Sequence, residues 1–293
     1  MMKIFKDFIN TYSIVGYDPE TEELGVAVVS KFLAVGSIVP WAKAGAGAVA
    51  TQSWANPLYG KRGLELMESG KSAEETISIL TECDEQKALR QVGMVDAKGN
   101  SATFSGDECY KWAGGMSGKH FACQGNILAG REVVEAMAAA FQSCKGDLAT
   151  RLLKALMSGE QAGGDRRGKQ SASLLVVKEN GGYGGMTDRY LDLRVDDHEE
   201  PVEELLRLFN LHQLYFKKSK GEEILFVEGS VKEDLACSLY KSSLLTAKDP
   251  TDDQLLDALQ DFHLIENFDG SMQVRGQGER KAAEYIEVLQ SKG

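Results

Sequence analysis

A glycine-flanked pair of arginines is the segment of this sequence whose residue types most clearly suggest chemistry. Asp165, Arg166 and Arg167 lie between two glycines on one side and one on the other. A planar guanidinium group grips carboxylates or phosphates at two points, and flanking glycines let backbone N–H groups approach an anion. The segment therefore predicts either a substrate-binding site or a structural turn closed by an internal Asp–Arg ion pair.

A second candidate is Gln124-Gly125-Asn126, which ends a run of small residues ahead of a predicted helix. Side-chain amides, together with N–H groups near a helix start, suit a developing oxyanion. The alternative is a helix entry at which the asparagine only bonds to the backbone. The residues themselves leave both interpretations open.

The third candidate, Thr11, begins the first predicted strand. A threonine hydroxyl alone is a poor nucleophile, but the α-amino group of the same residue, with a pKa of about 7.7–8.0, can serve as its base. That chemistry requires the removal of residues 1–10. The alternative is a β-branched residue that favours a strand, and spacing alone favours this alternative.

Metal and nucleotide sites have weak support. Asp196, Asp197 and His198 are of ligand type, but neighbours on a strand point to opposite faces and do not easily share one ion. The glycines form neither of the motifs that cradle nucleotide phosphates. The five cysteines are scattered without paired spacing, which argues against a zinc knuckle or a disulfide framework. We predict no metal and no cofactor.

Composition narrows the partners. The net charge is −11, and no basic cluster is interleaved with aromatic residues, so nucleic acid is disfavoured as a partner. No stretch approaches the roughly 20 apolar residues of a membrane span, and the first ten residues lack the apolar core of a secretion signal. We expect a cytoplasmic protein without membrane contact that acts on a small-molecule or peptide-like substrate.

Periodicity predicts an α+β protein. The predicted strands are residues 11–18, 24–29, 35–41, 45–52, 91–96, 101–104, 120–128, 171–177 and 190–195. The predicted helices are residues 58–67, 72–81, a buried face from 133 to 141, 148–159 ended by a glycine, and 201–216. Strands cluster and helices come in pairs, which favours two stacked antiparallel sheets, each covered by a helix pair.

A change of character after Pro201 predicts the domain organisation. We expect a leader at residues 1–10, a main domain at 11–216, a charged linker at 217–220 and a small α/β module at 221–293.

Four stretches of the sequence together resemble a known family. They are TYSIVGYDPETEELGVAVVSKFLAVGSIVPWAKAGAGAVATQS from Thr11, QGNILAG from Gln124, GGDRRGKQSASLLVV from Gly163 and DLRVDDH from Asp192. In this order they are similar to the bacterial and archaeal domain-of-unknown-function 1028 family, over about residues 11–216. The resemblance implies membership of the N-terminal-nucleophile (Ntn) hydrolase superfamily and a four-layer αββα sandwich.

The resemblance also implies amide-bond hydrolysis with Thr11 as the nucleophile. Ser30 matches the position at which proteasome-like relatives keep a polar partner of the nucleophile, and Lys43 stands where many members have arginine. The remaining signature positions are expected to line the same cleft. The predicted catalytic residues are Thr11, Ser30, Lys43 and Asn126, and the predicted substrate-binding residues are Gln124, Asp165, Arg166 and Arg167.

Two features depart from the family's pattern or extend it. Ten residues precede Thr11, whereas related chains often begin at or next to this threonine or carry a signal peptide. Either the bond between Asn10 and Thr11 is cut, or Thr11 has no free amine. The stretch LLDALQDFHLIENFD from Leu255 is faintly similar to a module described in some relatives as peptidoglycan-binding.

Two main hypotheses follow. The first is a hydrolase of C–N amide bonds, and the second is a non-catalytic ligand-binding or scaffold protein on the same fold. A metal hydrolase is a third and weaker hypothesis. We also expect a homodimer or a higher homo-oligomer.

Overall fold

The computed structural model describes residues 11–217, 224–268, 277–279, 282–283 and 285. Residues 11–200 contain ten strands: β1 Thr11–Asp18, β2 Glu23–Ser30, β3 Pro40–Lys43, β4 Gly47–Ser53, β5 Arg90–Asp96, β6 Ser101–Ser105, β7 Gly114–Gly118, β8 Phe121–Gly125, β9 Ser171–Val177 and β10 Arg189–Val195. The α-helices within residues 11–217 are α1 Pro57–Glu68, α2 Ala73–Glu82, α3 Glu132–Ser143, α4 Leu148–Gln161 and α5 Pro201–Phe216.

These strands form two antiparallel sheets that lie face to face. The six-stranded sheet has the order β10-β9-β2-β1-β8-β7, and the four-stranded sheet has the order β3-β4-β5-β6. Helices α3 and α4 pack on the outer face of the first sheet, and α1 and α2 pack on the outer face of the second. The protein is therefore an α+β sandwich of four layers, αββα, as predicted.

Local sequence explains where the helices begin. Ser72 accepts the backbone N–H of Glu75 and the Glu75 carboxylate returns to the Ser72 N–H, which is the predicted capping box at the start of α2. Asp147 accepts the backbone N–H of Thr150 and caps α4. Pro57 occupies the first turn of α1, where its missing N–H costs nothing.

The space between the two sheets is apolar at one end and polar at the other. Along β1, Val15 and Tyr17 point inward and belong to the apolar core between the sheets. Thr11 and Ser13, on the same inward face, continue this row to the other end. The polar end of the interior is thus the end at which β1 begins and β2 ends.

Two element predictions were wrong and one strand, β7, was not predicted. The strand predicted at residues 35–41 is a 3-10 helix, Val35–Ser37, followed by β3, because Ala34 takes a left-handed conformation with φ 53° and turns the chain. Gly159 does not end α4 but lies within it. A Cβ there would lie 2.7 Å from Cγ of Met137, so this glycine allows close helix packing. The glycine-rich β7 has too few apolar residues to be predicted.

The chain divides into two compact units, Met1–Arg207 and Leu208–Gly293. The division falls inside α5, whereas the sequence predicts a linker at residues 217–220, of which 218–220 lie outside the described residues, as does the predicted leader. In the second unit, α6 Gly229–Lys241 and α7 Asp252–Ile265 pack around Leu239 and Phe262. Strands β11 Ile224–Phe226 and β12 Gln277–Glu279 pair antiparallel there. Across the described residues, no helix is both long enough and apolar enough to cross a membrane.

Candidate functional site

Thr11 lies between Ser30 and Asn126 at the polar end of the six-stranded sheet. It is the register partner of Ser30 on β2, and its hydroxyl donates to Ser30 Oγ at 3.1 Å. On the other side, its carbonyl oxygen accepts the backbone N–H of Asn126 at 3.0 Å. All three residues are fully buried. The structure thus brings three of the four predicted catalytic residues together. We call Thr11, Ser30 and Asn126 the Thr11 row.

A set of buried hydroxyl and amide side chains shares Asn126 with this row. We call it the carboxamide cluster: Ser13, Gln52, Gln91, Gln124 and Asn126. Gln52 Oε1 accepts from Ser13 Oγ at 2.6 Å, and Gln124 Nε2 donates to the same hydroxyl at 2.6 Å. Gln91 Oε1 accepts from Gln52 Nε2 at 2.8 Å and from Asn126 Nδ2 at 2.9 Å. The cluster joins the two sheets by hydrogen bonds where their interior is polar.

Gln91 anchors the cluster to its surroundings. Its Nε2 donates to Ser105 Oγ at 2.7 Å and to the Gly125 carbonyl oxygen at 2.7 Å. Since Gln91 also accepts from two cluster amides, both ends of its side chain are held. This fixes which atom of each neighbouring carboxamide is donor and which is acceptor.

Two acceptors of the cluster have no hydrogen-bond partner in the described structure, Gln124 Oε1 and Asn126 Oδ1. Gln124 Oε1 packs against Gly93, where an added Cβ would lie only 1.9 Å from it. Gln124 is therefore wedged between the two sheets and is fully buried. In this position it supports the other side chains of the carboxamide cluster. Asn126 Oδ1 is a buried acceptor at the Thr11 row, and a buried acceptor without a donor costs about 1–3 kcal/mol.

Every side chain of the Thr11 row and the carboxamide cluster is a hydroxyl or a carboxamide. Ser13, Gln52 and Gln91 were not among the sequence-predicted site residues. Their signal was present, because each is a polar residue on the inward face of an otherwise apolar strand. That face could be recognised only from the strand register, since the strands of this interior are buried on both sides.

Asp165 and Arg167 form the internal ion pair that the sequence left as one of two alternatives. The Arg167 guanidinium donates to both carboxylate oxygens of Asp165, from Nη2 to Oδ2 at 2.6 Å and from Nε to Oδ1 at 3.1 Å. The backbone N–H of Arg167 also donates to Oδ1. The Asp165 side chain is 1% exposed and that of Arg167 is 34% exposed. This pair closes the turn.

The arginine turn nevertheless lies beside the Thr11 row. The Arg166 N–H donates to the Ile127 carbonyl oxygen at 3.0 Å, and Leu128 forms an isolated bridge with Asp165. The exposed Arg166 guanidinium donates to the Lys111 carbonyl oxygen at 2.5 Å. Backbone hydrogen bonds thus link Thr11 to Asn126, and the next residue, Ile127, to Arg166.

Lys43 is not brought to this row. It ends β3 opposite Gly47, whereas the carboxamide cluster meets β4 at Gln52. Five residues of strand separate these levels by roughly 16 Å. Lys43 is half exposed and pairs with Glu68 at 2.5 Å. The apolar end of the sandwich therefore holds this lysine away from Thr11.

The Asp196-Asp197-His198 segment has separate partners. Asp197 Oδ1 accepts from Gln170 Nε2 at 2.9 Å, and His198 Nδ1 accepts the Glu200 N–H at 3.0 Å. Within the described part of the chain, no group of three or more histidine, cysteine or acidic side chains is arranged to hold a metal ion.

A separate polar group lies at the outer face of the four-stranded sheet. Asp84 accepts from Arg90 Nε at 2.8 Å, from Tyr59 Oη at 3.0 Å and from the Gln86 N–H at 2.9 Å. Burial raises the pKa of Asp84, but the hydrogen bonds from Arg90, Gln86 and Tyr59 outweigh it and hold that pKa at about 2. The group borders a cavity of about 480 Å³ between α1 and α2.

Fold and site together define a class: an αββα sandwich with a buried threonine at the head of a central strand, hydrogen-bonded to a serine. A family sequence model described as "Family of unknown function (DUF1028)" matches residues 11–205. The chain belongs to this family.

A solved structure supports the same assignment. The crystal structure of protein SPO2555 from Silicibacter pomeroyi, itself described as DUF1028, is 30% identical in sequence with a TM-score of 0.64. The match covers 70% of this chain and 89% of that one. No curated protein matches.

Proposed function

We propose that this protein hydrolyses C–N amide bonds with Thr11 as an N-terminal nucleophile, after cleavage of the bond between Asn10 and Thr11. One observation carries the proposal. The Thr11 hydroxyl lies on the inward face of a central strand, at the polar end of the interior, and donates a hydrogen bond to Ser30 Oγ at 3.1 Å. This is a hydroxyl held in one orientation by its neighbours, as a nucleophile must be.

The surroundings of Thr11 also bear on which group acts as the base. The hydroxyls and carboxamides of the Thr11 row and the carboxamide cluster do not accept a proton near neutral pH. The α-amine that cleavage would release at Thr11 has an ordinary pKa of about 7.7–8.0 and lies on the same residue as the hydroxyl. We therefore assign the role of general base to this amine.

The reaction then runs in two halves. Thr11 Oγ1 bonds to the substrate carbonyl carbon while its proton passes to the α-amine, and the carbonyl oxygen becomes an oxyanion. The C–N bond breaks, and the α-ammonium returns the proton to the leaving amine. Water, deprotonated by the same amine, hydrolyses the ester and restores the hydroxyl.

Asn126 is the residue that we assign to the oxyanion. One hydrogen on its Nδ2 is donated to Gln91 Oε1 at 2.9 Å, and the other would be donated to the oxyanion. Because Gln91 is itself held at both ends, the Asn126 amide is preorganised, which is what makes such a donor effective. Asn126 Oδ1, which has no partner in the described structure, would accept an N–H from the substrate.

Arg166 is the residue that we assign to a substrate carboxylate. Arg167 is already neutralised by Asp165, whereas no described carboxylate pairs with Arg166, which is exposed. The substrate class is accordingly a small or peptide-like amide that carries a carboxylate. Lys43 has no part in this mechanism.

Mass spectrometry of the purified protein tests the proposal first. A mass that lacks residues 1–10 is expected, and a Thr11→Ala chain should keep them if the cleavage is self-catalysed. Release of amine from carboxylate-bearing amides, such as glutamine and N-acetyl amino acids, should follow for the cleaved form. Thr11→Ser, which keeps a hydroxyl, is the matched control and should retain activity.

The second candidate function is ligand binding without turnover. It is favoured by the complete burial of Thr11, since a buried hydroxyl without a free amine has neither access nor a base. An uncleaved mass, combined with a carboxylate-bearing ligand that raises the melting temperature and is not consumed, would support binding and contradict hydrolysis. Self-association, for which light scattering is the test, stays a prediction in both cases.

A further inference from the structure

Gln52 reaches from the four-stranded sheet to the backbone of Thr11 on the six-stranded sheet. Its Nε2 donates to the Thr11 carbonyl oxygen at 3.2 Å. The same nitrogen donates to Gln91 Oε1 at 2.8 Å and lies 3.4 Å from the Gln124 carbonyl oxygen. Gln52 is fully buried, so these bonds are shielded from competition by water.

The orientation of the Gln52 amide is itself determined. Ser13 Oγ donates to Gln52 Oε1 at 2.6 Å, and Gln91 Oε1 accepts a hydrogen bond from Gln52 Nε2. An amide turned by 180° would bring its oxygen to the carbonyl oxygen of Thr11 and to Gln91 Oε1, which repel it. The donor therefore points to Thr11 in a single arrangement.

A strand that begins at its functional residue needs such support. The first residue of a chain frays unless it is held, and in the processed protein Thr11 would be that residue. Its carbonyl oxygen has two donors, the Asn126 N–H at 3.0 Å from its own sheet and Gln52 Nε2 at 3.2 Å from the other sheet. Two donors from different elements hold the peptide plane that follows the nucleophile.

We propose that Gln52 is a positioning residue for Thr11: its amide holds the Thr11 carbonyl and so directs the attached hydroxyl and α-amine. Gln52 touches neither the substrate nor the reacting atoms, and it acts through Thr11. The role rests on the proposed function, in which Thr11 is the nucleophile.

Substitution of Gln52 by a residue of similar shape tests the proposal. Gln52→Met keeps the chain length but has no donor, and Gln52→Asn keeps the amide but is one methylene too short to reach. Ser101→Ala is the matched control, because it removes a hydrogen bond between the two sheets, from Ser101 Oγ to the Phe121 carbonyl oxygen at 2.7 Å, at the level of Gly16 and away from Thr11. Gln52→Asn serves if Gln52→Met does not fold.

The first readout is acylation of Thr11 in the cleaved protein by p-nitrophenyl acetate, with the Thr11→Ala rate subtracted. The acetyl group passes to Oγ1, the proton passes to the α-amine and p-nitrophenolate leaves. The Gln52 variants should react at least tenfold more slowly than the parent, with an unchanged pH profile because the base is the same. Ser101→Ala should remain within twofold. A Gln52 variant within twofold of the parent overturns the proposal.

The second readout separates this proposal from the proposed function. Hydrogen exchange of the Asn126 amide, measured by NMR in the full chain, reports how firmly the Thr11 carbonyl is held, whether or not Thr11 reacts. It should be at least tenfold faster in the Gln52 variants and unchanged in Ser101→Ala. If the parent shows no acylation above Thr11→Ala, hydrolysis by Thr11 fails. Unchanged exchange in the Gln52 variants shows that Gln52 does not position Thr11.

Discussion

The hydroxyl of Thr11 donates to the hydroxyl of Ser30 across the β1–β2 pair, with 3.1 Å between the two oxygens. The residues are 19 positions apart and are exact register partners at the end of the hairpin. Both are fully buried. A hydroxyl pair of this kind orients the first oxygen toward the second, and the second is therefore the residue through which the Thr11 hydroxyl can be perturbed.

Replacing Ser30 by alanine should disturb Thr11 without moving the strands. The Thr11 hydroxyl would lose its acceptor in a buried position, which costs about 1–3 kcal/mol of unfolding free energy. Urea unfolding measures that loss. The matched control is Ser143→Ala, since Ser143 is exposed and its hydroxyl donates to the carbonyl oxygens of Ala139 and Ala140 in the preceding turn of α3. Equal stability of the two variants would contradict the buried bond.

Replacing Gly93 by alanine should displace Gln124. The added Cβ would lie 1.9 Å from Gln124 Oε1 and 2.3 Å from its Cδ, so the amide must leave its bond to Ser13. Overpacking of this kind costs about 1–3 kcal/mol. Thermal or urea unfolding measures it, and shortening Gln124 to alanine in the same chain should recover part of the loss.

Gly63→Ala is the control for that substitution. Its Cβ would meet the flexible Cε of Met94 at 3.0 Å, and alanine gains about 1 kcal/mol over glycine within a helix. We expect little net change. A Gly93 variant as stable as the Gly63 variant would show that Gln124 is not wedged against Gly93.

Low pH should lower the free energy of unfolding by a defined amount, because the Asp84 carboxylate becomes protonated. Its pKa is about 2 in the folded protein, below the ordinary 3.8. A depressed carboxyl pKa stabilises the fold above the unfolded pKa, and this contribution is lost as pH falls through the folded value. The shift corresponds to about 2 kcal/mol, present at pH 5 and above and lost progressively toward pH 2.

Asp84→Asn isolates this contribution in urea unfolding between pH 7 and pH 3. The variant should be less stable than the parent at pH 7 by about 2 kcal/mol or more, because Arg90 also loses its charged partner in a buried position. The difference in unfolding free energy between Asp84→Asn and the parent should narrow as pH falls. Asp107→Asn changes the same charge at an exposed site and should show no such narrowing, while a constant gap for Asp84→Asn would contradict the linkage.

The two neighbouring arginines should behave differently when replaced by alanine. Arg167→Ala leaves the Asp165 carboxylate, 1% exposed, without its guanidinium partner. Removing one member of a buried pair costs about 3–5 kcal/mol, and the partial exposure of Arg167 reduces the expected loss to about 2–3 kcal/mol. Arg166→Ala removes an exposed side chain and its exposed hydrogen bond to the Lys111 carbonyl oxygen, and it should cost less than about 1 kcal/mol.

Urea unfolding of both variants checks this contrast. Asp165→Asn combined with Arg167→Gln removes both charges and should recover part of the stability that Arg167→Ala loses. Equal losses for the two arginines would mean that the Asp165–Arg167 pair does not close the turn. A change in substrate affinity on Arg166→Ala with unchanged stability would support the assignment of Arg166 to the substrate carboxylate.

Sequence patterns were sufficient for elements whose signals are local. The Ser72–Glu75 capping box, the Asp147 cap and the apolar stripe of α4 all depend on residues a few positions apart. Sequence patterns failed where conformation depended on a single backbone torsion or on contacts with distant residues. Ala34 turns a predicted strand into a 3-10 helix, and Gly159 serves packing against Met137 rather than helix termination.

The sequence by itself determined that Thr11 heads a strand, that Ser30 ends its hairpin partner and that two arginines and an aspartate share a glycine-bounded turn. These are properties of neighbouring residues, and family resemblance added their candidate roles. Only the tertiary structure decided that Arg167 is engaged by Asp165 and that Lys43 lies at the far end of the sandwich. It also decided that Gln52 and Gln91 meet Thr11 and Asn126. Such contacts join strands far apart in the chain, and their hydrogen bonds depend on the stacking of two sheets, which no local pattern specifies.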